Sequence, residues 1–178
     1  MNTEELKQPK WYAVYTRSRA EKKLYSLLTQ KGIESFLPLR KTLKIYSDRK
    51  KWVEEPLLRS YILVRVSEKD YYSVLNTAGA VRYVCFEGKA TPIPDSHIIA
   101  LQNFVNNRPK DLEIEMGELA AGEIMEVING PLKGTQGEIQ QIRGNHRLLL
   151  RFDSLGFCVH TEVALQDVKK VVGKKLVA

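Results

Sequence analysis

The hydrophobic period of this chain changes once, near residue 110, and that change divides it into two differently built parts. Before it, helical runs alternate with short apolar runs. Ala20, Leu24, Leu27 and Leu28 fall at helical spacing behind a capping-box pair, Ser18 and Glu21, and Gly32 closes the helix. A second helix is expected from about Glu68 to Ala78, with Ser67 and Asp70 as its start signal and Gly79 after its end. Asp95 opens a third, with Ile98, Leu101 and Val105 on one stripe. Trp11–Tyr15 reads as a strand buried on both faces. Ile33 to Leu39, Tyr61–Val66 and Val81–Phe86 read as further strands. Lys41 to Val53 reads as a hairpin with basic residues on both arms and Ser47-Asp48-Arg49 near its tip. The order β-α-β, hairpin, β-α-β-α predicts an α+β sandwich, a mostly antiparallel sheet with helices packed on it.

Beyond the change only short strands remain. They are expected at Glu123–Ile128, Thr135–Ile142, Arg147–Phe152, Phe157–Val163 and Val168–Val172, with Asn129-Gly130-Pro131, Gly144-Asn145 and Gly156 as punctuation. Strands at this spacing predict a small β-barrel. Between the two textures, Asn106 to Gly117 has no consistent period and contains Pro109. From Asp111 to Glu126 there are six acidic residues and no basic one. A domain at 9–107, a linker at 108–118 and a barrel domain at 119–173 follow.

Charge is distributed as unevenly as period. Residues 1–60 carry 14 Lys and Arg against 7 Asp and Glu, and residues 61–178 carry 14 against 14, so the net charge of +7 belongs to the first third. A concentrated excess is the footprint of a polyanion partner, although a solvated basic face has the same composition. No run of about 18 apolar residues occurs, and Met1 to Lys10 lacks the apolar core of a signal peptide, so a cytoplasmic protein without membrane contact is expected. Cys85 and Cys158 fit buried apolar positions in a reducing compartment. His97, His146 and His160 form no metal-spaced cluster, and no Ser-His-acid or Gly-rich phosphate motif stands out, so neither an enzyme nor a bound metal or cofactor is expected. Cys158 and His160 share a strand face, a pattern that core packing accounts for.

Two stretches carry a family resemblance. Gly122-Glu123-Ile124-Met125-Glu126-Val127-Ile128-Asn129-Gly130-Pro131-Leu132-Lys133-Gly134-Thr135-Gln136-Gly137-Glu138-Ile139 resembles a KOW motif, in which a Gly-Pro turn reverses the chain. Gly137 then enters a strand where a side chain would clash or where positive φ is required. Trp11-Tyr12-Ala13-Val14-Tyr15-Thr16 resembles the opening strand of the NusG N-terminal (NGN) domain. Pro56-Leu57-Leu58-Arg59-Ser60-Tyr61-Ile62-Leu63-Val64 resembles its Pro-Leu-Phe-Pro-Gly-Tyr-Val-Phe-Val segment, and Gly79 to Pro94 its valine-led strand and Pro-x-Pro approach to the last helix. The chain thus resembles the NusG-like elongation and antitermination family, an NGN domain followed by an SH3-like KOW barrel. It departs at Leu58-Arg59-Ser60, at the basic hairpin, and at Tyr71-Tyr72-Ser73, which stands where RfaH-like members carry a His-Thr-Thr contact to the polymerase gate loop. These departures resemble the specialised UpxY and RfaH kind, associated with polysaccharide operons.

The resemblance implies a monomeric factor that suppresses pausing or termination. It implies docking on the clamp helices of the largest RNA polymerase subunit through Tyr61, Leu63, Val84 and Ile98, residues that would equally serve a hydrophobic core. It implies contact with non-template DNA through Arg17, Arg19, Lys22 and Lys23, extended toward upstream DNA by the hairpin residues Arg40, Lys41, Lys44, Arg49, Lys50 and Lys51. It also implies a contact of the barrel with ribosomal protein S-ten or Rho around Leu155 and Phe157, which otherwise fill the barrel. Two alternatives remain open: a general NusG-type factor, and a ribosome-associated RNA-binding KOW protein. The latter predicts a basic barrel, against the observed charge distribution.

Overall fold

Lys10–Thr16 form β1, an inner strand hydrogen-bonded on both sides, and its Trp11, Ala13, Val14 and Thr16 are all buried. The computed structural model describes residues 8–107, 113–116, 122–142, 145–152 and 157–171. The chain divides into two compact units, Met1–Asp95 and Ser96–Ala178. In the first, β1 is followed by α1 (Glu21–Gln30), β2 (Glu34–Phe36), the hairpin β3 (Leu39–Ile45) and β4 (Lys50–Pro56), and β5 (Tyr61–Val66). Then come α2 (Glu68–Leu75), β6 (Ala80–Tyr83) and a small hairpin, β7 (Cys85–Phe86) with β8 (Lys89–Ala90). The main sheet has the order β2-β5-β1-β6, and every pairing in it is antiparallel.

Strand alternation sorts the sheet into two faces. On one, Val14, Ile62, Val64, Val66 and Tyr83 join Leu24 and Leu28 of α1 and Val74 of α2 in a core that also takes Ile33 and Leu37. Leu24 and Leu28 are fully buried, and each contributes about 1.5–3 kcal/mol of apolar transfer energy. On the other face lie Trp11, Ala13 and Tyr15, in register with Arg65, Leu63 and Tyr61.

Several sequence expectations shift here for identifiable reasons. The strand expected over Ile33 to Leu39 is two strands, because Pro38 has no N–H for a ladder; its carbonyl instead accepts the Leu57 N–H at 2.7 Å. Val81–Phe86 likewise divides into β6 and β7, and Val81 is exposed because β6 is the sheet's edge. Tyr15 is also exposed, so β1 is not apolar-buried along its whole length. Cys85 is exposed where a buried position was expected, whereas Cys158 is buried. Ser18 and Glu21 do not form a capping box: Ala20 is the N-cap residue of α1, without a side-chain cap, and Glu21 is engaged elsewhere.

The second unit contains α3 (Asp95–Asn107, from Ser96 onward), β9 (Glu113–Met116), β10 (Glu123–Val127), β11 (Gln136–Ile142), β12 (Asn145–Phe152), β13 (Phe157–Glu162), a 3-10 turn at Leu165–Asp167 and β14 (Val168–Lys170). Its strands follow the order β14-β10-β11-β12-β13-β9, antiparallel throughout, with the last strand returning beside β10. Val127, Leu148, Leu150, Val159 and Val168 are buried in it. β9 lies within the stretch read from sequence as linker, and it pairs with β13. α3 touches the strands through the edge of the His97 ring on Phe152, 5.8 Å between centroids, and through Asn103 Nδ2 donating to Thr135 Oγ1 at 3.4 Å. Gly137 is required for close approach rather than for its backbone angle. A Cβ there would lie 2.6 Å from the Leu149 carbonyl oxygen and 3.1 Å from a Leu148 methyl.

A tyrosine cluster lies where the first unit's sheet meets α2. The Tyr71 and Tyr83 rings stack with centroids 3.9 Å apart, Tyr12 meets both edge-on, and the Tyr83 hydroxyl donates to the Tyr71 carbonyl at 3.0 Å. Burial pushes the Tyr83 hydroxyl well above its ordinary pKa, and the neighbouring Tyr71 and Tyr12 push it further. An unfolded tyrosine ionises near pH 10, so the folded state's preference for the neutral phenol contributes fully below that pH and is lost as pH rises above it. Urea midpoints are therefore expected to fall between about pH 9 and about pH 11, and Tyr83→Phe is expected to flatten that decline. An equally steep decline in the variant would assign alkaline unfolding to other groups.

Candidate nucleic-acid interface

Residues 17–20, between β1 and α1, are pinned from three directions. The Arg17 N–H donates to the Gly79 carbonyl at 2.9 Å, the Thr16 N–H to the Ser60 carbonyl at 2.8 Å, and the Ala20 N–H back to the Arg17 carbonyl at 3.1 Å. Gly79 allows this approach, because a Cβ built on it would lie 3.3 Å from the Ala20 Cβ and its φ is +103°. Glu21, only 6% exposed, sends Oε1 to the Ser60 N–H at 2.7 Å. Arg19 and Ser60 both hold left-handed backbone, φ 59° and 63°. Ser60 stands where the family pattern has glycine, and its N–H and C=O are both held in place.

This scaffold presents Arg17 and Arg19 on the loop and Lys22 and Lys23 in the first turn of α1, all four exposed. Cations at a helix N-terminus oppose the macrodipole, at a cost of about 0.3–1 kcal/mol each. A departure from local preference at an exposed position points to a use beyond stability.

The β3–β4 hairpin carries the rest of the basic surface. Arg40, Lys41, Lys44, Arg49, Lys50 and Lys51 are all exposed. Near its base Arg40 stands opposite Glu55 and Lys41 opposite Glu54; nearer the tip Lys44 stands opposite Lys51 and Ile45 opposite Lys50. Lys44 also forms an ion pair with Glu55. That hydrogen bond raises the lysine's pKa and lowers the carboxylate's. Arg49 reaches Asp48 only at 4.0 Å. Positive charge is thus balanced at the base and in excess toward the tip.

The four residues expected in an apolar docking patch are placed as follows. Ala13 stands opposite Leu63 on β5 and accepts the Val84 N–H at 2.9 Å, so Leu63, Ala13 and Val84 lie abreast across the sheet. Tyr61 and Val84 are half-buried, whereas Leu63 has no exposed surface. Ile98 lies on α3, in the second unit, and is 2% exposed. Leu63 and Ile98 therefore act as packing residues in this structure. Sequence reading missed Tyr15. It is 39% exposed and meets Tyr61 edge-on at 5.5 Å, with exposed Arg82 opposite it on β6. Its alternation with Trp11 and Ala13 was the available signal. Trp52, 65% exposed on the hairpin, was missed as well.

Leu155 lies outside the described residues. Phe157 begins β13 opposite Phe152, and its side chain is outside them too. Among the described residues no group of three or more His, Cys, Asp or Glu could hold a metal ion, and no helix is long and apolar enough to cross a membrane. Cys158 and His160 are buried on β13. The His160 Nδ1 lies 3.1 Å from an Arg147 guanidinium nitrogen, which can only donate, so Nδ1 is the acceptor. Arg147 also donates to Glu162 at 3.0 Å.

An antiparallel α+β unit with a basic approach to its first helix, followed by a six-stranded antiparallel unit, is the build of an NGN-plus-KOW factor. The chain belongs to the NusG family: the family model described as "NusG: Transcription termination factor nusG" matches residues 9–102. It is a NusG-type transcription termination/antitermination factor. The transcription termination/antitermination protein NusG of Staphylococcus carnosus (strain TM300) is 26% identical, over 95% of this chain and 100% of the relative. The protein of that name from Rickettsia typhi (strain ATCC VR-144 / Wilmington) is 25% identical over 90% of this chain and 89% of its own length. A solved structure described as "Domain interaction in Thermotoga maritima NusG" matches with a TM-score of 0.50 at 20% identity. It covers 92% of this chain and 97% of that one, a likeness of fold.

Glu21→Ala is expected to cost about 1–3 kcal/mol in urea unfolding, because it leaves the Ser60 N–H without its acceptor. Glu21→Gln, which keeps an acceptor oxygen, is expected to lose less. A loss under 0.5 kcal/mol, roughly the floor for a net hydrogen bond, would show the clamp to be dispensable.

Proposed function

We propose that this factor binds RNA polymerase through the exposed Tyr15–Tyr61 end of the first unit's sheet and touches non-template DNA through the adjoining basic loop. The observation that carries this reading is the tyrosine pair, edge-on at 5.5 Å and partly exposed, beside exposed Arg17, Arg19 and Arg82. Amphipathic rings at a protein surface are typical interface anchors, because the ring loses water while the hydroxyl keeps a partner. The partner element is the clamp helices of the largest polymerase subunit, with Val84 extending the patch. Arg17, Arg19, Lys22 and Lys23 neutralise phosphates of the displaced strand, an affinity tolerant of sequence and sensitive to salt.

Bound there, the factor favours the closed, elongating polymerase and disfavours paused or terminating states, a population shift that needs no covalent chemistry or cofactor. It acts as a cytoplasmic monomer on a polysaccharide biosynthesis operon, a specialisation supported by the basic hairpin. The barrel, around Leu155 and Phe157, contacts ribosomal protein S-ten or Rho. A general NusG role is the second reading, favoured by the termination/antitermination proteins among the relatives.

Tyr15→Ala combined with Tyr61→Ala is expected to weaken co-purification with core RNA polymerase at least about thirtyfold, the loss of one interface hot spot, with circular dichroism unchanged. Full retention would refute this surface. Reversing the charges of Arg17, Arg19, Lys22 and Lys23 is expected to weaken cross-linking to the non-template strand in an arrested elongation complex. Unchanged cross-linking would reduce these side chains to solvated charge.

A further inference from the structure

The β3–β4 hairpin has two unlike faces. Cross-strand pairing and alternation put Lys41, Leu43 and Ile45 on one face with Lys50, Trp52 and Glu54. Three large apolar side chains there are open to solvent: Ile45 at 72%, Trp52 at 65% and Leu43, directly opposite Trp52, at 40%. Thr42 and Val53, on the other face, are half-buried. The cross-strand Leu43–Trp52 pair contributes only about 0.2–1 kcal/mol to the ribbon and leaves most of the indole in water, so the arrangement calls for an occupant.

Charge identifies it. Residues 43–52 contain four basic residues against one acidic residue, Asp48. Lys41 and Lys50 flank the stripe on its own face, while Lys44, paired with Glu55, and Lys51 stand opposite each other on the other face. Lysine is depleted at protein–protein interfaces, so an apolar stripe flanked by Lys41 and Lys50 is a poor fit to a protein partner. An indole flanked by ammonium groups instead matches a polyanion that also offers flat π-faces. Bases inside a duplex are already stacked and leave no face for an indole. We infer that the Leu43–Ile45–Trp52 face is a stacking platform for an unpaired DNA strand, with Trp52 beneath a base and Lys41 and Lys50 on the flanking phosphates.

This inference rests on the nucleic-acid reading above and adds to it a stacking contact on a named face. DNA as the occupant follows from the non-template-strand reading on which the inference rests, and an RNA arm tests it, because Lys41 and Lys50 can donate to a 2′-hydroxyl as well as to a phosphate. Trp11, the chain's other tryptophan, is 5% exposed, so a fluorescence change on binding reports Trp52.

The full chain is titrated with an oligothymidylate of about 12 nucleotides, within the usual site size, and binding is followed by tryptophan quenching and by anisotropy of labelled DNA. Saturable quenching is expected. Trp52→Ala should weaken binding roughly fivefold to a hundredfold, the range for loss of one base–aromatic stack, while Trp52→Phe keeps most of it. Duplex DNA bound as tightly as the single strand would overturn the proposal. So would oligouridylate bound clearly more tightly than the DNA. Unchanged affinity in Trp52→Ala, with loss in Lys50→Glu/Lys51→Glu, would remove the stacking contact and leave electrostatic DNA binding standing. Unchanged affinity in both variants would remove the hairpin from DNA contact altogether.

Discussion

One carboxylate-to-backbone hydrogen bond, from the Ser60 N–H to Glu21 Oε1 at 2.7 Å, connects the start of α1 to the start of β5. The Ser60 carbonyl accepts from Thr16 at the end of β1, and Arg17 reaches Gly79 ahead of β6. Three strands and a helix thus meet within a few residues, and two of those residues hold left-handed backbone without being glycine. Such strain, of order 1–3 kcal/mol per residue, persists only where surrounding bonds over-determine the chain. The same bonds keep the Arg17–Lys23 cations and the Tyr15–Tyr61 pair close to a rigid sheet end. A surface assembled on this node is pre-organised, which lowers the ordering cost of binding.

The exposed cations follow a consistent logic. Three arginines that tie elements together do so through carboxylates: Arg65 beside Glu34 and Asp95, Arg151 on Glu138, Arg147 on Glu162. Toward the α1 loop and the hairpin tip the pattern reverses. Lys22 and Lys23 sit at the wrong end of a helix dipole, and Lys51 faces Lys44. Each arrangement costs the isolated chain about 0.3–1 kcal/mol per lysine. A phosphate backbone converts both into favourable contacts, so the positions that break local rules coincide with those that composition alone had marked.

What the sequence made legible was what hydrophobic period reports. Leu24 and Leu28 were placed on a buried helical stripe and are fully buried, and the five barrel strands lie within a few residues of their expected limits. Gly137 was legible as a site of close approach or positive φ, and the Leu149 carbonyl shows it to be the former. Period says less about edges and ladder breaks. It could not show that Pro38 divides a strand, that β6 is an edge and exposes Val81, or that Glu113–Met116 adds a strand beside β13. Cys85 was misplaced for a related reason: it lies in a two-residue strand of a separate hairpin, outside the main sheet.

The candidate surface was legible in its charges and not in its aromatics. Exposed lysines and arginines are identified by composition, because almost nothing else can be done with them. An exposed tryptophan or tyrosine looks the same in sequence as a core one until register is known. Leu63 and Tyr61 sit two apart on one strand face, yet one is sealed and the other half-open, and only position relative to the sheet's end separates them. Trp11 and Trp52 differ in the same way: the first lies on an inner strand and the second on a two-stranded ribbon, where no second layer covers it among the described residues. Burial of an aromatic is set by the topology around it, and in this fold topology separates the aromatics that pack from those available to bind.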